Sequence, residues 1–159
     1  MSLLKKEPVK RVEKFLKEFD DSLNIISLDT SARTAMEAAI SLKCEVGAIV
    51  KSLVFKTENR FTLYLIAGDK KASLNKIKHN LNIKDVSLAS VDEVKNITGF
   101  TIGGVSPVGH LNKINVYIDN SLERFDVLYA AAGHPNCVFK IDFVRLQKIT
   151  NGLINDITE

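Results

Sequence analysis

Hydrophobic residues follow two different periods along the first part of the chain. Over residues 8–19 the apolar side chains recur at helical spacing, with lysines and acids between them. The short apolar run at 24–28 predicts a strand instead. A second helix is predicted over 32–43, and we expect Thr30 or Ser31 to cap it by accepting a backbone N–H bond.

The middle of the chain predicts a β-hairpin followed by two further helices. Apolar and β-branched residues fill two runs, 48–55 and 61–68, that are separated by a short turn. Ser73 and Ser90 each stand where a helix would begin, since a serine hydroxyl accepts a backbone N–H bond in the first helical turn. Four glycines and a proline punctuate residues 99–109, so this segment is predicted to be irregular.

The last third of the chain predicts more strands and a closing helix. The strand candidates are residues 115–119, 126–133 and 138–141. The final helix is predicted to begin near Asp142. Because helices and strands interleave unevenly and short turns join many strands, the pattern predicts an α+β fold. We expect one domain over residues 1–159, with a mixed, strongly curved sheet and surrounding helices.

Composition narrows the class of protein without naming a partner. The 45% hydrophobic and 26% charged fractions are typical of an ordinary soluble globular protein. The chain has no apolar run near the ~20 residues that span a bilayer, and its charged start differs from a signal peptide, so we expect a cytoplasmic protein. The net charge of +3 permits a polyanionic partner but does not require one. Cys44 and Cys137 are predicted to be buried, unreactive thiols.

Lys51 interrupts the otherwise apolar strand predicted over 48–55. Residues alternate faces along a strand, so Lys51 shares one side with Ile49 and Leu53. A lysine on an inner face costs several kcal/mol unless an anion or a hydrogen-bond acceptor lies nearby. Either this face is open to solvent, or Lys51 is placed for the phosphate or carboxyl-like oxygen of a ligand.

Two glycine-containing segments are further candidates for chemistry. In residues 103–107, paired glycines allow close backbone approach and can present N–H groups to an oxygen, although such a segment is also a common turn. In residues 133–135, His134 stands between a glycine and a proline, where it either orients a substrate or water or is a surface turn histidine. His134 and Cys137 lack two more ligands at zinc-site spacing, so no metal is expected.

Three segments, in this order, closely resemble one protein family. They are TSARTAMEAAISLKCEVGAIVKSLVF at 30–55, TGFTIGGVSPVGH at 98–110 and AAGHPNCVFKI at 131–141. The family is the YbaK/prolyl-tRNA-synthetase-associated group of aminoacyl-tRNA deacylases, and the resemblance extends from about residue 24 to residue 148. It implies a mixed, barrel-like sheet. It also implies hydrolysis of the ester between a wrong amino acid and the terminal ribose of tRNA, without a metal or organic cofactor.

The resemblance also assigns roles to individual residues. Lys51 matches the family lysine that is associated with the 3′-terminal adenosine and the ester. Gly103 belongs to the matching Gly-x-x-x-Pro loop, and His134 to the Gly-His-Pro element of the alanine-editing branch. Lys51, Gly103 and His134 are therefore the catalytic candidates. The predicted substrate-binding set is Thr30, Ser52, Gly104, Val105, Ser106, Pro107, Gly133 and Pro135.

Together these observations predict a free-standing trans-editing deacylase acting on mischarged tRNA. Backbone N–H groups near Gly103 and Gly104 are expected to stabilise the oxyanion, while His134 positions the aminoacyl group or water. Alanine on proline tRNA is the first candidate substrate, and serine, threonine, 2-aminobutyrate and cysteine stay open. Prolyl-tRNA synthetase is a candidate partner. The alternatives are a non-catalytic tRNA- or synthetase-binding module of the same fold, and a hydrolase of small esters.

Overall fold

The computed structural model describes residues 2–159 as an arrangement of helices and strands. The helices are α1 (Glu7–Phe19), α2 (Ala35–Leu42), α3 (Leu74–Leu81), α4 (Val91–Thr98) and α5 (Phe143–Thr150). The strands are β1 (Ile25–Ser27), β2 (Val50–Thr57), β3 (Arg60–Ala67), β4 (Val86–Leu88), β5 (Asn115–Asp119), β6 (Leu128–His134), β7 (Cys137–Ile141) and β8 (Leu153–Asn155). No helix in this part of the chain is both long and apolar enough to cross a membrane.

The strands form two sheets. The larger sheet has the order β4-β2-β3-β5-β8, in which β2 pairs antiparallel with β3 and β4 while β5 runs parallel to both β3 and β8. The smaller sheet has the order β1-β7-β6 and is antiparallel. A parallel bridge between Ile49 and Tyr129 joins their margins. The α+β class and the mixed sheet are confirmed, and the strands of residues 2–159 form no closed barrel.

The hydrophobic stripe of α1 is buried in the main core. Val9, Val12 and Leu16 are fully inaccessible to solvent, and the helix packs against β6 of the smaller sheet. Each such side chain contributes about 1.5–3 kcal/mol through burial. Gly133 permits this approach, because a Cβ there would stand 2.9 Å from the Pro8 carbonyl group. The amphipathic pattern read from residues 8–19 is thus the pattern of a core helix.

The start of α2 differs from the prediction. Thr34, rather than Thr30 or Ser31, is the N-cap: its hydroxyl accepts a bond from Glu37 N–H at 3.1 Å, and Glu37 returns the contact to Thr34 N–H at 3.2 Å. The Thr30 hydroxyl instead contacts the Ser41 hydroxyl at 2.8 Å. The segment before the helix is tied to the β6–β7 turn, since Ala32 N–H donates to the Pro135 carbonyl at 2.8 Å.

The other helix starts and the central hairpin agree with the predictions. Ser73, Ser90 and Asp142 cap α3, α4 and α5 through their side chains. Residues 99–109 contain neither helix nor strand, as their glycines indicate. The strands β4 and β8 were not predicted. Each has three residues, and each gains its hydrogen bonds from a longer neighbour, β2 or β5, that is distant in sequence.

Candidate active site

A cavity of about 410 Å³ lies where the two sheets and the irregular segment meet. Its walls come from β2, β6 and β7, from the start of α2, from the end of β4 with Ala89, from Val94 of α4, and from Ile102, Gly103 and Val105. The most buried lining side chains are small and apolar, among them Val50, Val54, Cys137 and Val138. No Asp or Glu lines it among residues 2–159, whereas Lys51 and Arg33 do. The wall of the cavity is therefore mostly apolar, and the two charged side chains that line it are both cationic.

Lys51 is half-buried on β2 and lines this cavity. Its Nζ donates a hydrogen bond to the Lys70 carbonyl, in the turn that follows β3. Burial lowers the pKa of Lys51, while the nearby charge of Asp69 acts in the opposite direction. The side chain of Lys51 is therefore not fully open to solvent, and its contact with a ligand oxygen stays a prediction. The protein supplies one acceptor, and an ammonium group has three donors, so Lys51 can still bind a ligand oxygen.

Ser52 lines the cavity and has a buried hydroxyl. Its Oγ is inaccessible to solvent and has no hydrogen-bond partner within residues 2–159. The neighbouring positions on its face of β2, Val50 and Val54, belong to the apolar core. An unpaired hydroxyl in such surroundings costs free energy, which a polar ligand group or a water molecule recovers. Ser52 thus lines the cavity, and its contact with the substrate stays a prediction.

The two adjacent glycines of the irregular segment serve different purposes. Gly103 lines the cavity with φ +95°, and a Cβ there would stand 3.2 Å from Arg33 Cγ. Gly104 is pressed against β6, since its Cβ would stand 2.9 Å from His134 N and its carbonyl accepts from Gly133 N–H at 3.0 Å. Its own N–H donates to the Thr101 carbonyl at 2.9 Å. The expected oxyanion donor at Gly104 is thus occupied, while Gly103 N–H has no acceptor within residues 2–159.

Of the other residues predicted to bind substrate, some line the cavity and some lie away from it. Val105 and Pro135 line the cavity. Ser106 is buried and its hydroxyl accepts from Val108 N–H at 3.1 Å, and Pro107 lines a separate cavity of about 290 Å³. Gly133 packs against the start of α1 at Pro8, and Thr30 is exposed beside Ser41. The structure therefore does not bring Thr30, Gly104, Ser106, Pro107, Gly133 or the catalytic candidate His134 to the cavity wall.

His134 ends β6, one residue before the cavity-lining Pro135. Its Nδ1 accepts a hydrogen bond from Asn136 N–H at 3.0 Å. Burial lowers the pKa of His134 below its ordinary value, and the positive charges of Lys6 and Arg33 lower it further. The imidazole is thus neutral at pH 7 with its proton on Nε2, and it can donate a hydrogen bond from that atom.

Arg33 and Tyr129 line the cavity but were not among the predicted site residues. A single arginine before a helix and a tyrosine in an apolar strand have no periodicity or spacing that marks a site. The position of Arg33 inside the family-like segment 30–55 is the one signal that could have pointed to it. Tyr129 is placed by the bridge to Ile49 between the two sheets.

The cysteines differ in their environments. Cys137 is fully buried, as predicted, whereas Cys44 is only partly buried, and burial raises the pKa of both thiols. A raised pKa leaves a thiol protonated and weakly nucleophilic near neutral pH. Within residues 2–159, no three His, Cys, Asp or Glu side chains are grouped closely enough to hold a metal ion.

Comparison with known proteins identifies the family. The model of the family described as "Aminoacyl-tRNA editing domain" matches residues 29–149, which contain the whole cavity lining. The chain belongs to this family. The editing-domain chain is 31% identical over 134 residues to YwhH of Bacillus subtilis (strain 168), a protein of uncharacterised function, and the match covers 84% of this chain and 85% of YwhH. The family resemblance read from the three segments is thereby confirmed.

Two further relatives connect the editing-domain chain with prolyl-tRNA synthetase. It is 33% identical over 104 residues to the proline–tRNA ligase of Macrococcus caseolyticus (strain JCSC5402), covering 65% of this chain but only 18% of the ligase. A crystal structure of a candidate trans-editing enzyme for prolyl tRNA synthetase superposes with a TM-score of 0.91 and 35% identity. That match covers 97% of this chain and 98% of the other. The chain therefore has the fold of an editing domain related to a small part of these ligases.

Proposed function

We propose that the protein is a free-standing aminoacyl-tRNA deacylase. It hydrolyses the ester that links a wrong, small amino acid to the terminal ribose of tRNA, with alanine on proline tRNA as the first candidate. The observation that carries this proposal is a small cavity that combines Lys51, Ser52 and Gly103 in an editing-domain chain. The near-complete overlap with the candidate trans-editing enzyme supports a single editing domain over residues 1–159.

The cavity supports discrimination by size. Its apolar wall of Val50, Val54, Cys137 and Val138 is close-packed and suits a small side chain. One extra methylene changes binding by only about 1–3 kcal/mol in such a pocket, so exclusion of proline depends on a clash with this wall. Serine, threonine, 2-aminobutyrate and cysteine also have small side chains. The Ser52 hydroxyl can form a hydrogen bond with those side chains that are polar.

In the proposed reaction, water attacks the ester carbonyl carbon while the terminal nucleotide is held by Lys51. Gly103 N–H donates to the carbonyl oxygen as it becomes an oxyanion, which lowers the barrier because the donor is already in place. The attacking water gives one proton to solvent, the tetrahedral intermediate collapses, the bond between the carbonyl carbon and the ribose oxygen breaks, and that oxygen takes a proton from solvent. The products are the free amino acid and tRNA with an unmodified terminal ribose.

His134 has a positioning role in this proposal. Its Nδ1 is occupied by Asn136 N–H, so this nitrogen cannot accept a proton from water without losing the hydrogen bond of its own turn. Nε2–H remains as a donor that can orient the aminoacyl group or the attacking water. Since an aminoacyl ester is already activated, correct positioning supplies much of the required rate.

The proposed partners follow from the substrate. Mischarged tRNA is the macromolecular partner, and prolyl-tRNA synthetase is a second one, both in the cytoplasm. With a net charge of +3, contact with tRNA is expected to be weak and to weaken further as salt increases. A synthetase partner would raise the local concentration of the charged tRNA.

The proposal is tested by deacylation of proline tRNA charged in turn with alanine, serine, threonine, cysteine, 2-aminobutyrate and proline. We expect fast release of one small amino acid and retention of proline. Lys51→Ala should lower the rate at least about 100-fold with an unchanged fold, because Lys51 contacts the substrate. The control is Lys140→Ala, which removes an exposed lysine from β7 and should leave the rate unchanged.

Three results would contradict the proposal. Near-normal turnover by Lys51→Ala removes the role given to that residue. No release from any charged tRNA, together with a gel shift of uncharged tRNA, identifies a non-catalytic binding module. Equal activity on a free amino-acid ester and on aminoacyl-tRNA identifies a hydrolase of small esters.

A further inference from the structure

Arg33 is held in place by the backbone on both sides of it. Ala32 N–H donates to the Pro135 carbonyl at 2.8 Å, and Thr34 is fixed by its reciprocal bonds with Glu37. The Cα of Arg33 therefore cannot move far from the cavity mouth, although the residue itself is exposed. A fixed backbone that carries an exposed side chain is suited to ligand binding.

The side chain of Arg33 packs against Gly103 of the candidate active site. Its Cγ and Cβ lie 3.2 and 3.5 Å from the place where a Cβ on Gly103 would stand. Any larger residue at 103 would displace this stem. Gly103 thus lines the cavity with an N–H that has no acceptor within residues 2–159, and it also leaves the space in which Arg33 lies.

The guanidinium of Arg33 has neither a hydrogen bond nor an ion pair within residues 2–159. Three of the other four arginines are paired with carboxylates, Arg11 with Glu7, Arg124 with Asp69 and Arg145 with Asp20 and Asp142. Arg60 is the remaining unpaired one, at the first position of β3, beside the turn of the β2–β3 hairpin. An unpaired arginine at a cavity is the exception in this molecule.

The electrostatic surroundings favour an anion at this place. No carboxylate lines the cavity within residues 2–159. Asp69, whose charge reaches Lys51, is held by Arg124 at 2.7 and 3.0 Å, and Glu37 is engaged with Thr34. The charges of Lys51 and Arg33 at one small cavity are therefore not neutralised by lining groups, and they attract a negatively charged ligand.

Building on the proposed function, we infer that Arg33 binds the phosphate on the 5′ side of the terminal adenosine of tRNA. A guanidinium is a planar fork that matches two phosphate oxygens, so it fixes orientation as well as charge. One terminal ribose carries the ester on its 3′ side and this phosphate on its 5′ side. With the ester in the cavity beside Lys51, the phosphate lies outside, at the mouth where Arg33 is exposed.

The test uses two analogues that cannot be hydrolysed, 3′-alanylamido-adenosine with and without a 5′-phosphate. In the wild-type protein the phosphate should lower the Kd about tenfold or more, as expected for a charge-assisted pair. Arg33→Ala should remove this difference while binding the unphosphorylated analogue normally. Arg33→Lys should keep part of it, because an ammonium offers charge without the fork. Arg60→Ala, the matched control, should behave as the wild type.

Each result separates the phosphate site from the proposed function. A phosphate preference that persists in Arg33→Ala, or is missing from the wild type, overturns the inference even if charged tRNA is hydrolysed. An Arg33-dependent preference in a protein that hydrolyses no charged tRNA keeps the phosphate site and removes the deacylase proposal. Inorganic phosphate should compete with the phosphorylated analogue alone, and equal competition with both contradicts the site. Melting temperatures of the variants show whether each is folded.

Discussion

At the scale of single residues, the His134 imidazole is restricted to one tautomer by its own turn. The Asn136 N–H bond to Nδ1, at 3.0 Å, leaves Nε2 as the protonated nitrogen. Burial, Lys6 and Arg33 all lower the pKa of His134, so the neutral form persists below the ordinary value of 6.5. Protonation would place a second proton on Nδ1, where it opposes the Asn136 N–H. The donor geometry of His134 therefore depends on pH.

We predict that kcat/KM for the deacylated substrate falls as the pH drops, with an inflection below 6.5. Above that pH the imidazole is neutral and the turn is intact, so the contribution of His134 to kcat/KM is constant. Arg33→Ala should move the inflection upward, since one of the charges that disfavour the imidazolium is removed. The measurement is a pH profile of kcat/KM for both proteins on the same substrate.

The control for this pH profile is His134→Gln, which cannot titrate. Its profile keeps any inflection that belongs to the amino group of the substrate and loses the one that belongs to His134. An identical inflection in His134→Gln and the wild type would show that His134 does not control the acid limb.

At the scale of elements, α2 is the helix whose start forms part of the cavity wall. Thr34 and Ala35 line the cavity, and the capping box of Thr34 with Glu37 fixes that first turn. The extended segment before it is tied to the β6–β7 turn through Ala32 and Pro135. Two elements that are a hundred residues apart in sequence thus depend on each other at the mouth of the site.

We predict that Thr34→Ala destabilises the protein by about 1 kcal/mol and also raises KM, because the first turn of α2 frays at the cavity. Ser73→Ala is the matched control. It removes the N-cap of α3, which accepts from Lys76 N–H at 3.2 Å and lies outside the cavity lining. Urea denaturation should show a similar loss of stability for both variants. A raised KM in both, or in neither, would contradict the role given to the start of α2.

At the scale of the whole molecule, Asp119 ties the end of the chain to the larger sheet. The residue is fully buried at the end of β5. Its carboxylate accepts from Ile157 N–H at 2.8 Å and from Ser121 N–H and the Thr158 hydroxyl at 3.1 Å each. These bonds satisfy three donors in the interior and place the C-terminal residues over the sheet face that contains Tyr64 and Ile66.

We predict that Asp119→Ala lowers the free energy of unfolding by about 3 kcal/mol, since it leaves three buried donors without an acceptor. Asp156→Ala is the control: it breaks an exposed ion pair with Lys76 and should cost less than about 1 kcal/mol. The check is the shift in the urea midpoint at an unchanged slope. Equal shifts for the two variants would show that the buried contacts of Asp119 add little.

Local patterns in the sequence determined the elements whose burial follows a regular period. The helix α1 and the hairpin of β2 and β3 are examples, because one face or both faces of each are apolar over eight or more residues. The irregular segment 99–109 was equally clear from its glycines. Lys51 was also visible, since a lysine within an apolar strand breaks the pattern. The wording of the three family-like segments added Gly103 and His134.

Only the tertiary structure decided which side chains meet. The strands β4 and β8 exist because longer neighbours pair with them. The N-cap of α2 is Thr34, in a segment that is bonded to Pro135 from the other end of the chain. The same packing separates Val105, which lines the cavity, from Ser106 in the same short segment. It also brings Arg33 against Gly103. Periodicity records which face of an element is buried, whereas contacts between distant elements depend on how those faces pack together.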